Sequence, residues 1–156
     1  FNLLNWWLYL FTFATMRQTF NKEERLKSRK LIQQLFAEGK SLNAFPIRLL
    51  YLPSDHDSPY RIQAGVTVSK RNFKKAVQRN RIKRLLREAY RKNKEIVYAS
   101  ENTKKHIFMF IYQGNTELEY RDIEERMKDL LRAFLSKQNS IISQWRRSWE
   151  EWRKVS

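Results

Sequence analysis

Residues 73–87 read FKKAVQRNRIKRLLR, and the same pattern runs on through EAYRK to Lys92. At about 100° per residue this segment divides into two faces. Ile82, Leu85, Leu86, Ala89 and Tyr90 gather on one side. Arg79, Asn80, Lys83, Arg84, Arg87 and Arg91 gather roughly opposite, and Arg81 and Lys92 sit on the other border. A helix of this kind packs its apolar stripe on a sheet and turns its cations and one amide outward. Lys70, Arg71, Lys74 and Lys75 add charge just before and into the helix. From Lys70 to Lys94 there are twelve Lys or Arg and a single acid, Glu88, so this segment carries +11 of the formal net charge of +16. Charge gathered so tightly marks a binding surface for a polyanion rather than a general aid to solubility. Arginine dominates between Arg79 and Arg91, and a guanidinium grips phosphate through paired hydrogen bonds where an ammonium acts as a point charge. Backbone N–H groups at the helix start offer a further phosphate seat. These features address a phosphate backbone without separating DNA from RNA.

The rest of the composition narrows the class. A chain of 156 residues is long enough to bury a core in one domain. It has no cysteine, which removes disulfides, thiolate nucleophiles and cysteine-based metal sites, and which fits a reducing, cytoplasmic setting. The three glycines, Gly39, Gly65 and Gly114, lie far apart, so neither a phosphate-binding loop nor a dinucleotide fingerprint can be built. With 42% hydrophobic and 14% aromatic residues the chain is a folded basic protein, not a disordered basic tail.

Outward from the basic helix, short elements follow one another. Asn21 with Glu24 resembles a capping box and predicts a helix carrying Leu26, Ile32, Leu35 and Phe36, stopped at Gly39. Ile47, Leu49 and Tyr51 alternate with Arg48, Leu50 and Leu52 as a strand, and Ile62, Ala64, Val66 and Val68 give a second period-2 run beyond the turn-forming SDHDSP. HIFMFIYQ, from His106 to Gln113, reads as an apolar strand, and Tyr120 to Lys137 as a helix with Ile123, Met127, Leu130, Leu131 and Phe134 on one side. This order predicts an α+β fold: one small domain over 16–137, with helices packed against a mixed sheet of about four strands. Residues 1–15 are apolar and uncharged, too short for a membrane span, and read as translated upstream sequence with the chain proper opening at Met16. Residues 138–156 place Trp145, Trp149 and Trp152 on one face of a C-terminal helix, expected to dock on the domain. Glu150 and Glu151 weigh against lipid binding, so no stable membrane association is expected.

The basic segment also resembles the signature of the protein subunit of bacterial ribonuclease P. Phe73, Ala76, Arg79, Asn80, Arg81, Ile82, Lys83, Arg84, Leu86 and Arg87 fill its specified positions. Arg25-Leu26-Lys27 with the helix to Phe36 and Gly39 resembles the family's opening, and VTVSK, from Val66 to Lys70, its third strand. The likeness spans about residues 22–137. It implies a left-handed crossover in the α+β fold and a partnership with a catalytic RNA. In that family the RNA, with Mg2+ bound mainly through it, removes the 5′ leader of precursor tRNA, and the protein contributes no catalytic residue and builds no metal site alone. The resemblance assigns RNA contacts to Arg79, Asn80, Arg81, Arg84 and Arg87, and a leader-binding cleft between this helix and the sheet. Family members tend to place two Phe four residues apart on the first helix; here the second is Phe36 and the first is Ile32. Tyr51, Phe73 and Phe45 are the further candidates for stacking on leader bases.

Three other readings compete. A protein-only nuclease needs clustered carboxylates or histidines, and Asp55, His56 and Asp57 form the only local cluster. A non-catalytic RNA-binding protein of ribosomal type shares the charge and amphipathicity and is set apart only by the signature. A membrane-surface basic protein rests on the two apolar tails.

Overall fold

The computed structural model describes residues 18–100 and 104–155; the apolar stretch 1–15 lies outside them. Four strands form one mixed sheet: β1 (Lys40–Ala44), β2 (Ile47–Pro53), β3 (Ile62–Val68) and β4 (His106–Tyr112), in spatial order β1-β2-β4-β3. β2 is antiparallel to β1 and β4, and β3 runs parallel to β4. Parallel neighbours need a long connection between them. Here it is the basic segment itself, folded as α3 (Ala76–Asn93) and a short α4 (Glu95–Tyr98). Before the sheet come a 3-10 turn, α1 (Lys22–Glu24), and α2 (Arg29–Glu38); after it comes α5 (Tyr120–Val155).

β4 is an inner strand, and its alternation supplies both halves of the core. Phe108, Phe110 and Tyr112 project to one side, among Ile47, Leu49, Tyr51, Ile62 and Ala64 of neighbouring strands and the buried stripes of α3 and α5. Ile107 and Met109 project to the other, where Leu26, Leu35 and Leu50 complete a smaller cluster under α2. A strand covered on both faces reads as a continuous apolar run, as HIFMFIY does.

Two local expectations are corrected. The Asn21 and Glu24 capping box exists, with the Asn21 N–H donating to the Glu24 carboxylate at 2.8 Å, but it closes only the single 3-10 turn. The helix proper begins at Arg29, with Ser28 as its N-cap. Between them Arg25 bridges Ala64, and the Leu26 N–H donates to the Ala64 carbonyl, so this segment lies along the outer edge of β3. Gly39 does end α2: a Cβ there would stand 2.3 Å from the Leu35 carbonyl oxygen. The other correction concerns the C-terminus. α5 runs unbroken for 36 residues, its buried residues end at Phe134, and Trp145, Trp149 and Trp152 are largely exposed.

Two buried polar groups tie the domain together. Glu24 is almost completely enclosed, and the Lys94 ammonium, itself largely covered, meets its carboxylate at 2.5 Å. That pair pins the α1 turn to the end of α3. Removing one partner of a buried pair strands the other charge in a low-dielectric site, so Lys94→Met is expected to lower unfolding free energy by about 3–5 kcal/mol in urea titrations. His106 donates through Nδ1 to the Lys104 carbonyl at 2.9 Å, and its ring packs edge-on against Phe134. Its Nε2 is buried without a partner, and burial holds the imidazole pKa below its ordinary value. The unfolded chain then takes up a proton that the folded ring resists, so stability declines as pH falls below about 6.5. Thermal melts between about pH 7.5 and about pH 5 should show this decline, and His106→Phe should reduce it.

Candidate RNA-binding surface

α3 presents its charge because its opposite face is anchored. Ile82, Leu86, Ala89 and Tyr90 are buried, and Tyr90 meets Phe110 of β4 with ring centroids 5.4 Å apart. The cations therefore cannot turn inward. Asn80, Arg81, Arg84 and Arg87 are exposed, Lys83 and Arg91 half-exposed, and Lys70, Arg71, Lys74 and Lys75 stand exposed on or beside the loop that leads into the helix.

The cations are not equivalent. Arg79 folds back, donating through one guanidinium nitrogen to the carbonyls of Phe73 and Lys74 at 2.8 and 2.7 Å, and so shapes the loop before the helix. Arg91 is engaged with Glu88 at 2.5 Å and also reaches the Gln18 carbonyl. The Arg91 hydrogen bond to Glu88 holds the Glu88 carboxyl below its ordinary pKa. Arg81, on the far border, pairs with Glu117 at 3.3 Å. Among the described residues Lys83, Arg84 and Arg87 meet no carboxylate, and they form the middle of the outward face. Partial burial and the nearby Arg25 lower the pKa of the Arg87 guanidinium. Two neighbouring cations without a counter-charge are an arrangement that an anion such as phosphate would relieve. Lys75 at the N-cap makes no side-chain cap, so the first-turn N–H groups remain available beside the lysines.

Arg25 is the contact that reading the sequence missed, because only the path of residues 20–28 along β3 brings it to α3. Its guanidinium lies over the Phe20 ring at 5.5 Å to the centroid. Arg48 was missed as well. It occupies the α2 side of the sheet, in register with Asn43 and Ile111, and its Nε is buried without a partner. The signal was an arginine inside an otherwise apolar strand.

The aromatic candidates separate. Phe36 is 55% exposed at the margin of the buried face of α2, which removes a core role for it. Phe45, in the turn between β1 and β2, is also exposed. Tyr51 and Phe73 are corrections: both are core side chains. Tyr51 packs edge-on against Phe134 at 5.2 Å, and Phe73 lies against Tyr112 at 5.9 Å, so neither offers a ring to a base. The cleft expected between α3 and the sheet is likewise closed, because the apolar stripe of α3 fills it. The exposed part of the sheet lies on its other face, where Thr67, Arg48 and Ile111 are half-covered on the side that carries α2 and Phe36.

Asp55, His56 and Asp57 do not converge. The two aspartates are exposed, while His56 turns inward and its Nε2 lies 3.2 and 3.3 Å from the carbonyls of His106 and Arg61. Among the described residues no group of His, Cys, Asp and Glu is placed to hold a metal ion.

A small α+β domain with an arginine-rich outward face on its crossover helix has the form of a nucleic-acid-binding protein. The ribonuclease P family model matches residues 20–135, and the chain belongs to that family. A ribonuclease P protein component from Porphyromonas gingivalis is 38% identical over 116 residues, which cover 72% of this chain and 84% of that one. One from Chlorobium phaeobacteroides is 40% identical over 100 residues, 62% of each chain. Among solved structures, the ribonuclease P protein of Thermotoga maritima superposes with a TM-score of 0.56 at 26% identity, covering 69% of this chain and 94% of its own. That of Staphylococcus aureus gives 0.57 at 21% identity, with 70% and 94% coverage, and so speaks to the fold alone.

Replacing Arg84 and Arg87 together with Ala is expected to weaken RNA binding and flatten its salt dependence. For each phosphate no longer neutralised, the slope should fall by about 0.9 log units on a duplex and about 0.7 on a single strand. An unchanged slope in filter-binding titrations would place the RNA contacts elsewhere.

Proposed function

We propose that this chain, as accessory subunit of the endoribonuclease ribonuclease P, lays the outward face of α3 on the catalytic RNA and guides the 5′ leader of precursor tRNA across the α2 side of the sheet. Catalysis belongs to the RNA. The observation that carries the reading is the outward face of α3, where a buried stripe holds Lys83, Arg84 and Arg87 away from the core without a carboxylate partner among the described residues, with Arg25 of the segment along β3 beside Arg87. The Mg2+ ions of the reaction are held mainly through the RNA, whose phosphates supply the hard oxygen ligands that Mg2+ prefers. The work of the protein is then electrostatic: it offsets phosphate repulsion as two RNA molecules are brought together. On this reading the chain works in the cytoplasm with its RNA.

On the leader side, exposed Phe36 offers a ring to a base, while Arg48 offers a guanidinium whose Nε lacks a partner. Base stacking on an aromatic contributes about 1–3 kcal/mol. Phe36→Leu is therefore expected to weaken binding of precursor tRNA with a long leader by roughly tenfold while leaving mature tRNA unaffected. Equal losses on both substrates would remove Phe36 from leader recognition.

The decisive assay is precursor-tRNA cleavage at low magnesium by a bacterial ribonuclease P RNA, with and without the protein. The expected outcome is strong stimulation, correct 5′ ends, and no cleavage by protein alone. A matched RNA left unstimulated would return the chain to the generic RNA-binding class.

A further inference from the structure

An arginine in an inner strand needs a reason. Arg48 stands in β2 between the buried Ile47 and Leu49. Its side chain is half-buried, its Nε–H is enclosed without an acceptor, and no carboxylate among the described residues neutralises it. A buried donor without an acceptor is costly, and a native structure seldom keeps one without a use.

The strands beside Arg48 show what surrounds that donor. Asn43 of β1, Arg48, Ile111 of β4 and Thr67 of β3 are register partners in turn, so they form one row across the whole sheet. The row faces the α2 side, because the chain neighbours Leu42, Ile47, Phe110 and Val68 belong to the core on the other side. In the next row Leu50 and Met109 pack with Leu35 of α2. In this row Arg48, Ile111 and Thr67 are only half-covered, and Asn43 is exposed.

The chemistry of the row selects its occupant. A guanidinium holds donors only, whereas the Asn43 amide beside it both donates and accepts. A phosphate presents acceptors alone, and the cations that would gather round one stand on α3 and the loop leading into it. A base edge carries donors and acceptors together, and Ile111 and the Thr67 methyl give a base apolar carbon to lie against. Among the bases, guanine sets the acceptors O6 and N7 side by side, the pair that an arginine fork most often grips. Adenine puts a donor in place of O6. A single-stranded leader leaves such edges open to side chains. We infer that Arg48, with Asn43, reads a guanine in the 5′ leader of precursor tRNA and so gives this protein a leader sequence preference. This role presupposes the leader path across the α2 side proposed above and adds a base-reading position to it.

The test uses the full chain with a bacterial ribonuclease P RNA, at low magnesium. The substrates are precursor tRNAs whose leaders are adenine throughout except for one guanine, moved a position at a time. Relative kcat/KM is expected to show a position at which guanine is preferred to adenine by about tenfold. At that position 7-deazaguanine, which lacks N7, should lose most of the advantage with the unaltered protein. Arg48→Lys keeps the charge but not the planar fork, and should cut the preference to less than about twofold. With that variant, 7-deazaguanine should make no further difference. Absence of a guanine preference at every position would overturn the inference, and so would a preference that Arg48→Lys retains. A loss in Arg48→Met that is equal for every leader base, and is reproduced by one methylphosphonate linkage, would overturn it in favour of a phosphate contact. Binding of long-leader precursor and mature tRNA by the same holoenzyme separates two kinds of failure. If the unaltered protein favours the long leader without preferring guanine, only the role of Arg48 falls. If it binds both equally, the leader path across the α2 side falls as well.

Discussion

The structure depends on β4 being buried on both sides. A strand with Phe108, Phe110 and Tyr112 on one face and Ile107 and Met109 on the other has to be covered twice, and each cover fixes part of the function. On the first face α3 and α5 lie side by side over the sheet. Once Ile82, Leu86 and Tyr90 are committed there, helical geometry leaves Lys83, Arg84 and Arg87 nowhere to point but outward. On the second face α2 covers only the part of the sheet around Leu50, Ile107 and Met109, and the uncovered remainder exposes the surroundings of Arg48. Position of charge is thus a consequence of core packing. A substitution deep in the stripe, remote from any RNA, would disturb recognition by rotating the helix that carries it.

What could be read from the sequence follows from how local each signal is. The division of α3 needed only the 3.6-residue period and was fully visible, as were β2, β3 and β4, whose alternating or continuous apolar runs end at turn residues. β1 was not, because Lys40–Ala44 buries only Leu42 and takes its strand character from pairing with β2, a tertiary fact. The start of α2 was misplaced for a similar reason: a genuine capping box at Asn21 was satisfied by one turn, and the chain then paired with β3 instead of continuing. The aromatic candidates show the same limit. Alternation puts Tyr51 on one face of β2, but cannot say which face is covered; α5, whose Phe134 arrives from far along the chain, decides it. Arg25 joins Arg87 for reasons equally invisible locally.

The tail makes the reverse case. Its helix was legible and was expected to dock on the domain; α5 instead continues unbroken past Phe134, the last of its buried residues.

The segment from Glu24 to Leu26 also has a bearing on the kinds of partner this fold can take. By bridging Ala64 it occupies the backbone of that residue midway along β3, an outer strand that would otherwise expose it. At the other border of the sheet, β1 is only five residues long and opens on a lysine. A peptide seeking to extend the sheet through main-chain hydrogen bonds finds one side interrupted at Ala64 and the other short and charged. Recognition is left to side chains on the helices and on the open sheet face, an arrangement that favours a ligand which carries its charge along a continuous backbone and holds its bases to the side.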